Sequence, residues 1–247
     1  EIRWYSLSYI FGILISWLII NKILIKHKKN LNDQVINELI NYLIIGIILG
    51  GRLGYVIFYN LEIYITNPIE ILKIWKGGMS FHGGLIGIIT STLIFCKIKK
   101  QNFFDLTDLI CLVAPIGIFF GRIANFINGE LYGRITESSF GIVFSKGGPL
   151  PRHPSQLYEA FFEGVVLYFL LNLLFFFTSL KNLTGSMTGL FLILYGFFRI
   201  FIEYFREPDK QIGLIFELIT MGQILSLPMI IFGIILIKYS FYKFKNG

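Results

Sequence analysis

Residues 121–134 read Gly121-Arg122-Ile123-Ala124-Asn125-Phe126-Ile127-Asn128-Gly129-Glu130-Leu131-Tyr132-Gly133-Arg134. They follow an apolar run, from Leu109 to Phe120, that has the composition of a membrane-spanning helix. The segment introduces two arginines, two asparagines and a glutamate within fourteen residues. Charged groups are costly at or near the hydrocarbon of a bilayer, so this cluster indicates a functional site. The alternative interpretation is a polar interfacial cap that only ends a helix.

The composition of the whole chain favours a membrane protein. Of its 247 residues 55% are hydrophobic, and the mean hydropathy is +0.69. Soluble domains contain about 45–50% apolar residues. The excess here lies in runs of Ile, Leu and Phe that are long enough to cross a hydrocarbon layer of about 30 Å. We therefore predict an all-α polytopic membrane protein, since a β-barrel would show short alternating segments instead.

About seven membrane spans are predicted. They cover residues 7–25, 39–58, 85–95 with a start as early as residue 79, 105–126, 158–178, 187–205 and 214–237. Residues 127–154 follow the fourth span and are long enough for a small outer loop or cap. With no second soluble domain in view, residues 1–247 are predicted to form a single transmembrane domain. The first run lacks a small-residue cleavage site, which favours a retained span over a signal peptide.

The net charge of +7 comes mostly from short basic clusters between the apolar runs. The positive-inside rule places the lysine-rich loops after spans one, three, five and seven in the cytoplasm. The N-terminus is then outside and the C-terminus cytoplasmic, and no nucleic-acid partner is needed to explain the charge. In this topology Arg52, Arg122 and Arg199 lie in the outer half of the membrane, on the same side as Tyr5 and His82.

Span six carries Tyr195, Arg199 and Glu203 at intervals of four residues, so the three share a helix face. An Arg–Glu pair that neutralises itself is the structural alternative. With Arg122 and Arg52, however, the spans hold three arginines and one clear acid, Glu203. We therefore predict an uncompensated positive cavity that suits an anionic ligand, because guanidinium groups match the geometry of phosphate oxygens. A phospholipid headgroup is the anion at that depth.

Two further motifs contain histidine. Gly77-Gly78-Met79-Ser80-Phe81-His82-Gly83-Gly84 surrounds His82 with glycines, which allow a ligand or a neighbouring helix to approach closely. His82 is a candidate base, and a structural histidine is the alternative. The second motif, Arg152-His153-Pro154-Ser155-Gln156-Leu157-Tyr158-Glu159, is explained at least as well by a capped helix start as by a catalytic role.

The two cysteines, Cys96 and Cys111, lie in apolar surroundings and are interpreted as small buried hydrophobic residues. Their spacing fits neither a disulfide framework nor a metal site, so no metal is predicted.

These blocks resemble the prolipoprotein diacylglyceryl transferase family, whose defining motif is similar to residues 121–133. Other blocks occur in the family's order along nearly the whole chain: Trp4-Tyr5, Gly51-Arg52-Leu53-Gly54-Tyr55, Phe81-His82-Gly83-Gly84, His153-Pro154-Ser155-Gln156-Leu157-Tyr158-Glu159, Tyr195-Gly196 with Arg199, Glu203, Arg206, Pro208 and Asp209, and Met221-Gly222-Gln223. The chain begins at Glu1 and is short before span one, which leaves room for further residues at that edge of the site.

The resemblance implies a bacterial inner-membrane enzyme. Such an enzyme transfers the diacylglyceryl group of phosphatidylglycerol to the cysteine thiol of the lipobox, at the end of a prolipoprotein signal peptide. The products are a thioether-linked precursor and glycerol phosphate, in the first step of lipoprotein maturation. The active site would face the outer leaflet, the outer segment would lie on the periplasmic side, and no metal or soluble cofactor is implied.

The resemblance also implies roles for particular residues. The expected catalytic residues are His82 as the base for the thiol, together with Arg122, Arg199 and Tyr195. Arg122 and Arg199 would also bind the phosphate of phosphatidylglycerol, with the help of Tyr5, Asn125, Glu130, Gly133 and Glu203. Residues of secondary importance are Arg52, Gln156 and Arg206.

Two other functional classes use similar features. A transporter or flippase for an anionic lipid would also need buried arginines, but it predicts discontinuous helices at the bilayer midplane and inverted repeats. The sequence shows neither. A receptor-like protein with seven spans would not need three arginines in its cavity, and the very short cytoplasmic loops offer little surface for a signalling partner.

Overall fold

The computed structural model describes residues 4–27, 31–59, 61–208, 215 and 218–246. Within these ranges the chain forms nine α-helices: α1 (Trp4–Ile19), α2 (Asp33–Tyr59), α3 (Leu61–Thr66), α4 (Phe81–Lys99), α5 (Phe103–Ile127), α6 (Ser155–Glu159), α7 (Leu167–Phe177), α8 (Ser186–Ile202) and α9 (Met221–Asn246). Extended backbone occurs there as isolated bridges, without a strand. The prediction of an all-α fold is confirmed.

Several shorter helical turns extend or connect these helices. A π-helical turn, Ile20–Leu24, continues α1, and a second one, Ala160–Val166, joins α6 to α7. The 3₁₀ turns are Ile25–His27, Pro68–Leu72, Ile74–Lys76 and Ser179–Asn182.

Six helical segments in the described ranges are long and apolar enough to cross a membrane: Trp4–His27, Asp33–Tyr59, Phe81–Lys99, Phe103–Ile127, Ser155–Phe177 and Met221–Asn246. The 17-residue helix α8 is apolar but shorter. The chain is therefore a multi-pass membrane protein of about seven helices, as predicted.

The bounds of the last two predicted spans are wrong. Helix α8 ends at Ile202, where a turn from the Phe205 amide to the Ile202 carbonyl (2.9 Å) replaces the expected helical residues 203–205. Helix α9 begins at Met221 because Thr220 and Gln223 form a reciprocal capping box. Hydropathy does not register such a cap, so the predicted start at residue 214 is too early. Residues 209 and 214 lie outside the described ranges.

The chain forms two compact units. The first contains the described residues within 1–27 and 107–247, and the second those within 28–106. Helix α5 begins at the end of the second unit and belongs mostly to the first.

In the second unit α2 packs against α4 through facing glycines. A Cβ atom added at Gly83 would overlap the carbonyl oxygen of Gly50 and would lie 2.9 Å from the Cα of Gly54. One turn further along, a Cβ atom at Gly87 would overlap the carbonyl oxygen of Gly46. Small residues at such a contact let two helix backbones approach closely within a membrane.

In the first unit a buried carboxylate holds the start of α8. Asp108 on α5 is fully buried and accepts hydrogen bonds from the backbone amides of Gly185 (2.8 Å) and Thr188 (2.9 Å). The Thr188 hydroxyl donates a third hydrogen bond at 2.9 Å. These contacts satisfy amides that the first helical turn leaves unpaired, so they fix α8 against α5.

Replacing Gly83 with alanine should destabilise the α2–α4 packing by about 1–3 kcal/mol, because the added methyl group overpacks the contact. Gly84→Ala is the matched control, since no atom of the described residues outside the adjoining backbone of α4 lies within 4 Å of the Cβ position at Gly84. Thermal unfolding of the purified variants in detergent measures the difference. Equal unfolding temperatures for the two variants would contradict this close contact.

Candidate active site

Two glutamates in the segment from α6 into the π-helical turn lie at the centre of the site. Glu159 ends α6 and Glu163 lies within Ala160–Val166, and both side chains are fully buried. Of the two interpretations left open for residues 152–159, a capped helix start does not account for Glu159. Helix α6 begins at Ser155 without a side-chain cap from Pro154, and the Glu159 carboxylate instead contacts arginines from other elements.

Arg122 on α5 and Arg199 on α8 converge on these glutamates. The Nη1 atom of Arg122 lies 3.2 Å from Oε2 of Glu159, and its Nη2 atom lies 3.4 Å from Oε2 of Glu163. The Nη1 atom of Arg199 lies 2.6 Å from Oε1 of Glu159. The other end of the Arg199 guanidinium forms an ion pair with Glu203, four residues later.

Arg206 completes the group by binding the same oxygen of Glu159 as Arg199. Its Nη1 atom lies 2.8 Å from Oε1 of Glu159. We call these six residues the arginine–glutamate cluster: Arg122, Arg199, Arg206, Glu159, Glu163 and Glu203. All six belong to the first unit.

The prediction of an uncompensated positive cavity is wrong, because three arginines contact three glutamates. The count of one clear intramembrane acid leaves out Glu159 and Glu163, which both fall within the predicted fifth span. The signal was present, because an acid inside a predicted membrane span is itself a functional-site hypothesis. The sequence did not show that both carboxylates point at the same arginines.

The arginines of the cluster are more exposed to solvent than its glutamates. The side chains of Arg122 and Arg199 are 18% and 14% exposed, whereas those of Glu159 and Glu163 are 0% exposed. The accessible part of the cluster therefore belongs to the arginine side chains, whose guanidinium groups suit an incoming phosphate group.

Tyr195 precedes Arg199 by one helical turn. Its ring stacks on Phe191, with ring centroids 5.7 Å apart. Its hydroxyl interacts electrostatically with Glu163, Arg122 and Arg199, which places it beside the cluster. This position is compatible with the predicted role, which stays a prediction.

A second polar group links α1 to the end of α5. The Tyr5 hydroxyl donates to Oε2 of Glu130 at 2.8 Å, and the Asn125 amide donates to the Tyr5 oxygen. Lys146 forms an ion pair with the other carboxylate oxygen of Glu130 at 3.0 Å. The buried Gln156 amide donates to the Glu130 carbonyl at 2.7 Å. The structure thus brings together four residues that were predicted for the site.

Gly133 shapes the polar segment between α5 and α6. Its amide donates to the His153 carbonyl at 2.8 Å, and its carbonyl accepts from Arg152 at 3.1 Å. A Cβ atom at this position would overlap the Phe205 carbonyl oxygen. Close packing therefore accounts for a glycine at position 133. Its predicted part in substrate binding stays a prediction.

Arg52 belongs to the second unit, and its contacts are structural. The side chain is buried, and all three of its nitrogen atoms donate to backbone carbonyl groups. The closest acceptors are Gly77 (2.6 Å), Glu70 (2.7 Å) and Ile71 (2.9 Å). The guanidinium also lies 5.2 Å from the ring centroid of Tyr64. These contacts hold the segment between α3 and α4.

His82 also belongs to the second unit and lies in the first turn of α4. Its side chain is exposed, and its ring meets that of Phe81 edge to face at 5.6 Å. The helix start is capped by Ser80, whose hydroxyl accepts from the Gly83 amide at 3.2 Å. The cap accounts for Ser80 at the start of the helix. The role of His82 as a base stays a prediction.

The fold and the candidate site define a multi-pass membrane protein with partly exposed arginine side chains paired to buried glutamates. A family model described as prolipoprotein diacylglyceryl transferase matches residues 1–239. Proteins named phosphatidylglycerol–prolipoprotein diacylglyceryl transferase are 56% identical to the chain. The protein from Rickettsia akari (strain Hartford) aligns over 243 residues, which are 97% of this chain and 92% of the relative. The protein from Rickettsia canadensis (strain McKiel) aligns over 242 residues, 98% and 93%. The chain belongs to the prolipoprotein diacylglyceryl transferase family.

Arg52→Met should destabilise the protein by about 1–3 kcal/mol, because several carbonyl groups lose a buried charged donor. Lys97→Met is the control, since Lys97 is an exposed cation at the end of α4. Limited proteolysis should show faster cleavage between residues 61 and 80 in Arg52→Met alone. Wild-type resistance to cleavage and a wild-type unfolding temperature would contradict the structural role.

Proposed function

We propose that the chain transfers the diacylglyceryl group of phosphatidylglycerol to the lipobox cysteine thiol of a prolipoprotein. Membership of the family and the names of its relatives support this reaction. The observation that carries the site assignment is the partial exposure of the Arg122 and Arg199 side chains, in a cluster whose carboxylates are buried.

In the proposed reaction the cysteine sulfur attacks the glyceryl carbon that is bonded to the phosphate oxygen. A sulfur–carbon bond forms and the carbon–oxygen bond breaks, and its electron pair stays on the phosphate oxygen of glycerol phosphate. Arg122 and Arg199 bind that phosphate and stabilise its developing charge. The thiol reacts as the thiolate, so its proton must be removed, and His82 is the proposed base.

The other residues have positioning roles in this proposal. Glu159 and Glu203 hold the guanidinium groups through ion pairs and hydrogen bonds. Fixed donors of this kind need no reorganisation when the phosphate charge develops. Tyr5, Asn125 and Glu130, which are already joined by hydrogen bonds, would orient the glycerol headgroup.

The location and topology belong to the same proposal. The enzyme would lie in the bacterial inner membrane with its N-terminus outside, its C-terminus in the cytoplasm and its site toward the outer leaflet. The lysine-rich loops after alternate spans support this orientation. Residues 1–247 would act as a single catalytic domain, with residues 127–154 as the outer segment.

Arg122→Ala and Arg199→Ala should each lower transfer at least about 100-fold, because each removes a donor to the developing phosphate charge. The assay combines purified protein, phosphatidylglycerol and a lipobox peptide, and it measures the mass gain of a diacylglyceryl group. Lys243→Ala, at the exposed end of α9, is the control for loss of positive charge. Folded arginine variants with near-normal turnover would rule out the phosphate site. Intact wild-type protein that gives no mass gain would favour a transporter.

His82→Gln tests the base separately. The variant should bind phosphatidylglycerol normally but transfer slowly, and its rate should rise steeply with pH as solvent takes over thiol deprotonation. The measurement is the pH profile of transfer for the variant and the wild type. A variant rate close to the wild-type rate across the profile would leave His82 a positioning residue.

A further inference from the structure

Glu163 is the least well compensated carboxylate of the arginine–glutamate cluster. Its closest cation is Arg122, at 3.4 Å from Oε2, and its Oε1 atom lies 3.8 Å from Arg199. Each glutamate of the cluster has one buried oxygen that accepts no hydrogen bond from the described residues, so the arginine distances distinguish Glu163. Glu159, by contrast, has arginine nitrogens at 2.6, 2.8 and 3.2 Å. A buried carboxylate with so little compensation is costly in its ionised form.

The charge balance of the cluster makes this position important for an anionic lipid. Three arginines and three glutamates contact one another, so their formal charges sum to zero. A phosphodiester on Arg122 and Arg199 adds one negative charge to a largely buried site. Binding therefore leaves one unit of negative charge uncompensated unless the cluster changes its own charge.

The groups that face Glu163 limit how the cluster can change its net charge. Arg122 faces it from α5, and Arg199 and Tyr195 face it from α8. Among the described residues, Arg206, beyond α8, and Glu159, one turn earlier on its own segment, also act on its charge. Arginine stays protonated in proteins, and a neutral tyrosine has no negative charge to lose.

Among these described groups, a carboxylate of the cluster is therefore the one that can neutralise the added charge by taking up a proton. Glu203 forms close contacts with Arg199, and Glu159 with all three arginines. Glu163 is held most weakly, and it touches the two arginines that are assigned to the phosphate.

We propose that Glu163 takes up one proton when phosphatidylglycerol binds. The lipid phosphate then replaces the Glu163 carboxylate as the anion that pairs with Arg122 and Arg199. The proton comes from the aqueous phase, the carboxylate becomes a neutral carboxyl group, and the cluster with bound lipid returns to zero net charge. Glu163 thus acts as a positioning residue that couples lipid binding to protonation. The inference rests on the proposed function, since it requires the phosphate at these arginines.

Titration calorimetry tests the coupling directly. Wild-type protein in detergent is titrated with short-chain phosphatidylglycerol, in buffers that differ in ionisation enthalpy, to count the protons taken up on binding. We expect uptake of about one proton, and an affinity that falls about tenfold for each unit rise in pH where Glu163 is ionised in the free protein. Glu163→Gln should bind without proton uptake and with an affinity that varies little with pH.

Glu207→Gln is the matched control, because Glu207 pairs with Arg152 outside the cluster. This variant should keep the wild-type proton uptake. Glu163→Asp, which keeps an ionisable carboxyl group but shortens it, should retain the uptake with a displaced pH dependence. Difference infrared spectra should show a protonated carboxyl band when the wild type binds lipid, and Glu163→Gln should lack this band.

Binding to the wild type without proton uptake would overturn the inference and leave the proposed function intact. Proton uptake that persists in Glu163→Gln would assign the proton to another group and would also overturn it. If Glu163→Gln does not fold, an unchanged pH dependence in Glu163→Asp has the same consequence. Failure of the wild type to bind phosphatidylglycerol at any pH would instead reject the proposed phosphate site.

Discussion

The carboxylate of Glu159 is the interaction on which the rest of the site depends. It is fully buried and contacts Arg122 on α5, Arg199 on α8 and Arg206 beyond α8. A buried charge is tolerated when it is paired, and removing one partner leaves the others costly. Glu159 therefore ties three separate segments to the start of the fifth span, and it fixes the guanidinium groups that are proposed to bind the phosphate.

The π-helical turn Ala160–Val166 positions the second carboxylate of the cluster. Such turns are uncommon and often occur at functional sites. Gly164 within the turn lies so close to α5 that an added Cβ atom would be 2.8 Å from the Cβ of Phe119. Phe119 lies three residues before Arg122. Close packing at Gly164 therefore brings Glu163 near that arginine, while leaving it more weakly held than Glu159.

Two arginines in similar local sequences have different surroundings. Gly51-Arg52 and Gly121-Arg122 both lie late in long helices, and each was predicted to contribute to an anion site. The Arg52 guanidinium donates hydrogen bonds to backbone carbonyl groups, whereas the Arg122 guanidinium forms ion pairs with carboxylates that hold it in place. The carboxylates offset the charge of Arg122, whereas the carbonyl groups take up the hydrogen-bond donors of Arg52 without offsetting its charge.

The sequence by itself determined the helical membrane architecture, the family and the arginines of the candidate site. Long apolar runs and costly intramembrane charges are local properties, so composition and motifs report them. The tertiary structure decided what the arginines contact, because Glu159, Glu163 and Arg206 come from segments whose meeting depends on packing. It also decided that Arg52 donates to backbone carbonyl groups and that α9 begins at a capping box. The net charge of the site, which sets how it can accept an anionic lipid, follows from those long-range contacts.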